Sequence, residues 1–233
     1  MNKKLDISSK KNVSIGKNVS IGKHVEIYDN VVIGDNVKIG DNVVLGKLPK
    51  KSKNSKTTSL KNLSSLKIAK NSKIGTNAII YSGTKISEGC FIADLATIRE
   101  EVEIGENTII GRGVAIENRT KIGKNCKIET NAYITAFSKI ADNVFIAPGV
   151  KTSNDSFIGR TKERFDKYGG IIAKKGSRIG VGAIILPNII LGEDCLVGAG
   201  SVVTKNVPPK KIVYGNPAKI IRDVPKEQLL ENQ

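Results

Sequence analysis

Apolar residues recur every six positions along most of this sequence, and this spacing limits what the chain can fold into. The recurring residue is Ile or Leu from Ile15 to Leu45, and Ile in fourteen consecutive hexads from Ile68 to Ile146. A third run extends from Ile179 to Val203. A period of six matches neither the 3.6-residue turn of an α-helix nor simple strand alternation. It indicates a short strand and a corner, repeated many times, and so predicts an all-β parallel β-helix.

A second apolar or small position lies two residues before each recurring residue, and both should point into the interior. The residue after the recurring one is usually small, which predicts that the chain bends there with dihedrals that Gly tolerates. A narrow interior of stacked Ile explains an aromatic content of only 4% without Trp. Cys90, Cys126 and Cys195 fall in the inward column, so we expect small core residues rather than disulfides or zinc ligands.

Two segments interrupt the repeat, at about residues 47–66 and 151–175. Long insertions in a solenoid usually gather on a binding face, although a solvated spacer is an equal alternative for the first. We predict a β-helix domain over residues 1–206 and a C-terminal extension over 207–233. In that extension Pro225 is expected to begin a short helix, with Leu229 and Leu230 packing back on the prism.

The charge balance limits the class of partner. Lys and Arg number 38 against 22 Asp and Glu, a net charge of +16 that favours anionic ligands. Basic residues do not alternate with stacking aromatics, which argues against nucleic acid. A single His cannot supply a zinc site, so no metal is expected. No apolar stretch approaches the ~20 residues of a membrane span, and the start lacks a signal-peptide core, so we expect a cytoplasmic protein.

Several sequence blocks resemble coenzyme A-dependent hexapeptide acyltransferases. The closing segment SVVTKNVPPKKIVYGNPAK resembles theirs, particularly at Pro208 and residues 215–219. Within that family, the blocks FIADLATIREEVEIGENTIIGRG, KIETNAYITAF, FIAPGVKTSND and GRTKERF resemble the branch that N-acylates nucleotide-linked amino sugars. The resemblance implies a left-handed helix with three hexads per coil, and a homotrimer that uses acyl-CoA as co-substrate. It also implies transfer of an acetyl or longer acyl group to a nucleotide-diphosphate deoxyamino sugar for surface glycan synthesis.

With eighteen residues per coil, Tyr81, Arg99, Glu117 and Thr135 would share one edge, and Asp94 would stack with Arg112 on another. We expect Asp94 or Glu117 to act as base, with Asp94 favoured; a ladder of surface ion pairs is the alternative. The residues expected to bind the acceptor are Arg99, Arg112, Asn131, Tyr133, Asn154, Asp155, Arg160, Lys162 and Arg164. The residues that the resemblance assigns to coenzyme A are Gly180, Gly182, Ala183, Gly198, Gly200, Lys205, Lys219 and Arg222.

Two other functions remain open from the sequence. One is an O-acetyltransferase acting on a sugar or serine, but such enzymes use a His base in a middle coil, and His24 lies in an N-terminal hexad. The other is a non-catalytic β-helix that binds ligands or acts as a scaffold. The sequence also leaves open the nucleotide, the sugar, the carbon that bears the amine and the acyl length. It also leaves open whether the base is a protein carboxylate, solvent or the substrate itself.

Overall fold

The computed structural model describes residues 10–53, 55 and 63–233. In this part the chain winds into a three-sided prism of short parallel strands with almost no helix. Each strand pairs with the strand three further along the chain, as in the series Ile80, Ile98, Ile116 and Ile134, so one coil takes eighteen residues. The predicted all-β parallel β-helix is confirmed, and its three-sheet form is consistent with the left-handed family fold.

Three sheets form the sides of the prism, and the chain visits them in the order 1, 2, 3. Sheet 1 contains β1 Ser14–Ile15, β4 Val31–Ile33, β7 Leu66–Ile68, β10 Lys85–Ile86, β13 Glu103–Ile104, β16 Lys121–Ile122, β19 Lys139–Ile140, β22 Ile172–Ala173 and β25 Ile190–Leu191. Sheet 2 contains β2 Ser20–Ile21, β5 Lys38–Ile39, β8 Lys73–Ile74, β11 Phe91–Ile92, β14 Ile109–Ile110, β17 Lys127–Ile128, β20 Phe145–Ile146, β23 Arg178–Ile179, β26 Leu196–Val197, β28 Lys211–Gly215 and β29 Ala218–Asp223. Sheet 3 contains β3 Glu26–Ile27, β6 Val44–Lys47, β9 Ile79–Tyr81, β12 Thr97–Ile98, β15 Ala115–Ile116, β18 Tyr133–Ile134, β21 Lys151–Thr152, β24 Ile184–Ile185 and β27 Val202–Val203.

The interior consists of the two inward columns that the hexads predict. The recurring Ile residues from Ile27 to Ile146 are almost completely buried, and all three Cys residues lie buried and unpaired beside them. Buried hydroxyls in the second column donate to carbonyl oxygens of the same prism, as from Thr84 Oγ1 to Arg99 O at 2.7 Å. Burial raises the pKa of Cys90 to about 11 and that of Cys195 to about 12, so these thiols are poor nucleophiles.

The corners follow a rule that differs from the predicted one. The left-handed φ falls on the third corner residue, which is Asn at twelve positions with φ between 54° and 62°, and His24 occupies an equivalent position at 55°. The Gly after the recurring residue generally allows close approach of the next coil instead, since a Cβ on Gly34 would lie 2.6 Å from Lys70 N; Gly46, with φ of 78°, is an exception. The proposed reason for the small residue was therefore wrong: contact between coils, not backbone dihedral, requires it.

The insertions and the tail occupy positions close to the predicted ones. Residues 54 and 56–62 of the first insertion lie outside the described part. The second is shorter than expected, at residues 153–171, because β21 and β22 pair within their sheets on either side of it. It contains one 3₁₀ turn at Glu163–Asp166. The tail adds the antiparallel hairpin of β28 and β29, which the sequence analysis did not predict.

The predicted terminal helix is present as two short 3₁₀ turns, Lys226–Gln228 and Leu230–Asn232, the first of them directly after Pro225. Leu229 is buried, and Leu230 N donates to Asp194 Oδ1 at 3.2 Å, so this segment packs back on the prism. Within the described ranges no helix is long and apolar enough to cross a membrane.

Candidate active site

A cavity of about 240 Å³ lies at the corner where the chain passes from sheet 3 to sheet 1. We call this the 3–1 corner; it comprises residues 81–83, 99–101, 117–119 and 135–137 of successive coils. The insertion at 153–171 forms the opposite wall. The residues that line the cavity are Glu117, Asn118, Tyr133, Thr135, Ala136, Asn154, Asp155, Arg164 and Tyr168. Five of them were predicted as site residues from the sequence: Glu117, Tyr133, Asn154, Asp155 and Arg164.

Glu117 is the carboxylate at the mouth of this cavity. Its side chain is 27% exposed, and its Oε2 lies 3.7 Å from Arg99 Nη1. Burial raises the pKa of Glu117, the positive charge of Arg99 opposes this rise, and the negative charge of Glu100 adds to it. A carboxylate with a raised pKa and a vacant side toward a cavity can accept a proton from a bound group.

Arg99 is held firmly beside Glu117. Its Nε and Nη2 donate to the two carboxylate oxygens of Glu100 at 2.9 and 3.3 Å, and its guanidinium lies 5.0 Å from the ring centroid of Tyr81. Glu100 is fully buried. The bidentate pairing and the stacking leave Nη1 as the nitrogen that faces Glu117.

Tyr133 and Thr135 form the floor of the cavity. Thr135 is buried, its backbone N–H donates to Thr152 Oγ1 at 2.8 Å, and its carbonyl accepts from Ser138 Oγ at 2.8 Å. Burial raises the pKa of Tyr133, and the negative charge of Glu117 contributes further. The phenol therefore stays protonated and can donate a hydrogen bond to a bound group.

The insertion is organised by one carboxylate. Asp155 Oδ1 accepts from Phe157 N at 3.0 Å, and its Oδ2 accepts from Gly159 N at 2.9 Å and pairs with Arg164 Nη2 at 2.6 Å. Although desolvation acts to raise it, the pKa of Asp155 is lowered by these hydrogen bonds and by Arg164. Arg164 also stacks near Tyr168, at 5.3 Å from the ring centroid. Arg164 is thus committed to the insertion, whereas Arg160 and Lys162 are exposed.

A second open surface lies at the corner between sheets 2 and 3. Three glycines with left-handed φ, Gly149, Gly182 and Gly200, follow one another there in successive coils, and a Cβ on any of them would meet no atom within 4 Å. Asn131 occupies the same position one coil earlier. We call the surface formed by these three glycines the glycine edge. Gly149 was not predicted, although the sequence shows that this corner position is Asn in some hexads and Gly in others.

The other glycines assigned to coenzyme A have a packing function. A Cβ on Gly180 would lie 2.6 Å from Ala199 N, and a Cβ on Gly198 would overlap the ring of Tyr214. Ala183 is buried in the core.

The three cations predicted to bind coenzyme A, Lys205, Lys219 and Arg222, lie at different places on the prism. Lys219 pairs with Tyr214 in the terminal hairpin, which puts it beside the end of the glycine edge, and Arg222 lies on the same strand. Gly215 N donates to Ser201 Oγ at 3.1 Å, which fixes the hairpin there. Lys205 is exposed after β27, at the 3–1 side of the prism.

Asp94 does not lie in the cavity. It is exposed at the corner between sheets 2 and 3, and its Oδ1 accepts from Thr76 N at 2.7 Å. Asp35, Asp41 and Asp142 form the same hydrogen bond with the coil before them. Arg112 and Asn131 share the corner with Asp94, away from Glu117. In one chain the two candidate bases, Asp94 and Glu117, therefore lie at the two opposite corners that border sheet 3, one before its strands and one after them.

Three lining residues, Asn118, Ala136 and Tyr168, were not predicted from the sequence, nor was the pairing of Glu100 with Arg99. Asn118 and Ala136 follow Glu117 and Thr135 on the same edge, so the eighteen-residue spacing could have found them. Tyr168 comes to the cavity through the fold of the insertion, which no periodicity describes. Among the residues that the structure describes, no cluster of three or more His, Cys, Asp or Glu side chains could hold a metal ion.

The site and fold define a hexapeptide-repeat protein, and comparison with known families agrees. Residues 12–47, 83–118, 119–154 and 174–205 match the bacterial transferase hexapeptide (six repeats) model. Residues 101–136 also match the hexapeptide repeat of succinyl-transferase. The first set of matches covers more than half of the chain. The protein therefore belongs to the bacterial transferase hexapeptide family.

Particular relatives are similar over shorter stretches. The dTDP-3-amino-3,6-dideoxy-α-D-galactopyranose 3-N-acetyltransferase of Aneurinibacillus thermoaerophilus is 47% identical over 55 residues, which is 24% of this chain and 29% of that protein. A putative acetyltransferase of Staphylococcus aureus (strain COL) is 41% identical over 71 residues, 29% of this chain and 36% of the relative. The matches therefore span about a third or less of these relatives.

Solved structures extend the likeness in fold. LpxA from Acinetobacter baumannii superposes with a TM-score of 0.53 at 19% identity, over 91% of this chain and 74% of that one. The UDP-N-acetylglucosamine acyltransferase from Campylobacter jejuni gives a TM-score of 0.52 at 18% identity, over 88% and 75% of the two chains. At these identities the likeness shows the fold alone.

Proposed function

We propose that this protein transfers an acetyl group, or a longer acyl group, from acyl-CoA to the amino group of a nucleotide-diphosphate deoxyamino sugar. The observation that carries the proposal is the half-buried Glu117, with its raised pKa, at the mouth of a polar cavity closed by the insertion. The similarity to an amino-sugar N-acetyltransferase over 55 residues supports it. The product would serve surface glycan synthesis.

The cavity suits the sugar of the acceptor. Its lining offers amide groups from Asn118 and Asn154, a phenol from Tyr133, and the carboxylate of Glu117. These groups can donate to and accept from sugar hydroxyls and an amine. Arg160 and Lys162 are exposed on the insertion, where they can attract the diphosphate over longer distances.

The glycine edge suits the donor. The three glycines of successive coils leave an open strip along the prism, which fits the narrow pantetheine arm of coenzyme A. Lys219 lies at its C-terminal end and can pair with a phosphate group, whereas Arg222 pairs with Ile212 toward the other end of the hairpin. Arg112 and Asn131 lie on the same corner nearer to its other end.

We propose that the protein acts as a homotrimer with sites between adjacent prisms. In sheet 3 from β9 to β18, the outward residues Ile79, Thr97, Ala115 and Tyr133 carry no charge, whereas Glu26 in β3 and Lys151 in β21 are exposed and charged. Sheet 1 instead presents Lys67, Lys85, Glu103, Lys121 and Lys139 outward. This uncharged part of sheet 3, facing the three-fold axis, brings the 3–1 corner of one subunit toward the glycine edge of the next.

The reaction needs a neutral amine. The acceptor enters as an ammonium ion, and Glu117 accepts one of its protons. The freed nitrogen lone pair attacks the thioester carbonyl carbon, forming a C–N bond and a tetrahedral oxyanion. The C–S bond then breaks, and the coenzyme A thiolate leaves with its electron pair and takes a proton from the nitrogen. Tyr133 can donate a hydrogen bond to the sugar or to the oxyanion.

The positions of the two carboxylates along the prism favour Glu117 as the base. Gly149, at the near end of the glycine edge, lies two coils above Glu117 and three coils above Asp94, with about 4.8 Å per coil. Asp94 is also engaged by Thr76 N, whereas Glu117 faces the cavity. The sequence had favoured Asp94 over Glu117 as the base, and the structure favours the opposite choice. Asp94 of one subunit would still flank the site of its neighbour.

The experiment that tests the proposal is a thiol-release assay over a panel of nucleotide-linked amino sugars and acyl donors. The protein's own cysteines are buried, with raised pKa values, and so will not react quickly with the thiol reagent. Thiol release with an amino sugar and acetyl-CoA, together with a product carrying an amide, supports the function. Release only with hydroxyl acceptors such as serine would favour an O-acetyltransferase instead.

A further inference from the structure

The buried carboxylate of Glu100 is unusual for its position. The corresponding residues of neighbouring coils at the 3–1 corner are Ser82, Asn118 and Ala136, all buried and uncharged. Removing a carboxylate from water is unfavourable unless it is paired, and a neutral residue at this corner would avoid that cost. The coils on either side show that the corner closes without a charge there. The charge of Glu100 therefore serves something other than the fold of the corner.

What Glu100 contacts indicates its role. Both of its oxygens accept from Arg99, and the remaining Arg99 nitrogen lies 3.7 Å from Glu117. The three side chains form a carboxylate–guanidinium–carboxylate row that carries a net charge of −1 when all are ionised. Across the cavity, Asp155 and Arg164 cancel each other. The cavity as a whole is thus anionic, in a protein with a net charge of +16.

We infer that Glu100 is a positioning residue that keeps the cavity anionic, so that the site selects an acceptor bearing an ammonium group over one bearing a hydroxyl. The inference rests on the proposed function and assigns its amine specificity to one buried ion pair. Glu100 occupies Arg99 through two hydrogen bonds, so that Arg99 orients Glu117 without fully neutralising it. An arriving ammonium ion supplies the missing positive charge, which a hydroxyl cannot do.

The other charged and titratable groups near Glu117 are accounted for. Tyr133 stays neutral because burial raises its pKa. Tyr81 lies beneath Arg99, and Lys47 lies beyond Tyr81 with its Nζ 5.6 Å from the ring centroid. The closest cation to the Glu117 carboxylate is therefore one that Glu100 already binds.

The test compares two probes that differ at one group. These are dTDP-3-amino-3,6-dideoxy-α-D-galactopyranose and its 3-hydroxy counterpart, with dissociation constants measured by calorimetry without coenzyme A. For the wild type we expect the amine to bind about tenfold or more tightly than the hydroxyl compound. Glu100→Gln leaves Arg99 free to neutralise Glu117, so the ratio should fall close to one. The acidic limb of the pH–rate profile should also move about one unit or more to lower pH.

Two further variants separate charge from structure. Glu101→Gln is the matched control, because Glu101 is adjacent but pairs with Arg119 at 2.8 Å outside the cavity; it should keep the wild-type ratio. The double variant Arg99→Gln/Glu100→Gln restores a net charge of −1 through Glu117 and should recover the amine preference. A purely structural role for the pair predicts no such recovery.

The outcomes distinguish this inference from the proposed function. If the wild type binds and acetylates the amine but Glu100→Gln keeps the same ratio, the inference is overturned and the function stands. If the wild type neither binds nor acetylates any amino sugar of the panel of nucleotide-linked sugars, both are overturned. Should Glu100→Gln not fold, Glu100→Asp keeps the charge and is expected to keep the amine preference. Loss of the preference in that folded variant would overturn the inference.

Discussion

At the scale of single residues, two carboxylates that look alike in the sequence have different surroundings. Asp94 accepts a backbone hydrogen bond from the preceding coil, as Asp35, Asp41 and Asp142 do at other corners. Glu117 has no such bond in the described structure and faces the cavity with an elevated pKa. Asp94 therefore links two coils by a hydrogen bond, whereas Glu117 is the carboxylate that we propose as the base.

We expect Glu117→Gln to lower kcat by about 10²–10⁴-fold, because the amide cannot accept the proton of the acceptor amine. Asp94→Asn is the matched control. It should keep kcat within about tenfold, while weakening the hydrogen bond to Thr76 and costing about 1 kcal/mol of stability. Steady-state kinetics and thermal unfolding of both variants check this. The opposite pattern, with only Asp94→Asn inactive, would restore the order that the sequence suggested.

The pH dependence should report the same carboxylate. Burial raises the pKa of Glu117, so its ionised, proton-accepting form is lost as the pH falls through a value above the usual range for Glu. We therefore expect kcat/KM to fall on the acidic side at a higher pH than an ordinary carboxylate would produce. In Glu117→Gln this acidic limb should disappear. If the acidic limb of the kcat/KM profile is unchanged in Glu117→Gln, a group other than Glu117 produces it.

At the scale of elements, the insertion and the glycine edge make different contributions to the site. The insertion is held by Asp155 and Arg164, and its wall position predicts an effect on the acceptor. The glycine edge lies on the corner between sheets 2 and 3. Because it is open to solvent, we expect substitutions there to raise KM for the acyl donor.

Arg164→Gln should raise KM for the nucleotide sugar, because Asp155 loses its partner and the cavity wall is no longer fixed. This effect should be insensitive to salt, since the pair is mostly buried. The double variant Arg160→Gln/Lys162→Gln should also raise KM, but only at low salt, because exposed charges act at long range. Kinetics at two ionic strengths distinguish them. Unchanged constants in both variants would make the insertion a solvated spacer.

Gly182→Asn should raise KM for acetyl-CoA while leaving the fold intact. Asn adopts the same left-handed φ at twelve other corners, so the backbone tolerates it, but its side chain would fill the open strip. Gly89→Asn is the control. Gly89 has a similar φ of 70° and lies far from the strip; a Cβ there would lie 2.5 Å from Asn107 Oδ1, so the Asn107 side chain has to turn as in the stack of Asn18 on Asn36. Equal effects of both substitutions on KM would show that the glycine edge does not bind the donor.

The sequence predicted some elements better than others, for physical reasons. Ile80 and Ile98 are fixed by a spacing that every coil repeats, so the fold and the stacking of Glu117 with Thr135 could be predicted from it. Asn118 and Ala136, which lie on the same edge, were not predicted. The corner glycines were predicted but for the wrong reason, because close contact such as that of Gly34 with Lys70 is a three-dimensional property. The roles of Arg164 and Tyr168 depend on the fold of an irregular insertion, and no periodicity encodes it.

At the scale of the whole molecule, the arrangement of the three sheets predicts how sites are shared. Glu117 follows its sheet 3 strand and the glycine edge precedes its strands, so in the proposed trimer we expect a complete site to need two subunits. Mixing Glu117→Gln and Gly182→Asn chains before assembly should therefore restore activity to about a quarter of the wild-type sites. Light scattering should give the mass of a trimer of 25.0 kDa chains. No recovery in mixed trimers, or a fully active monomer, would place each site within one chain.

The most direct test of the central claim is the identity of the atom that receives the acyl group. Purified protein is incubated with acetyl-CoA and dTDP-3-amino-3,6-dideoxy-α-D-galactopyranose, and the product is analysed by mass spectrometry and NMR. We predict one added acetyl group on the amine nitrogen, formed in step with thiol release and lost in Glu117→Gln. If nucleotide-linked amino sugars that vary in base, sugar and amine position all stay unmodified, or are acetylated only on oxygen, the account is contradicted.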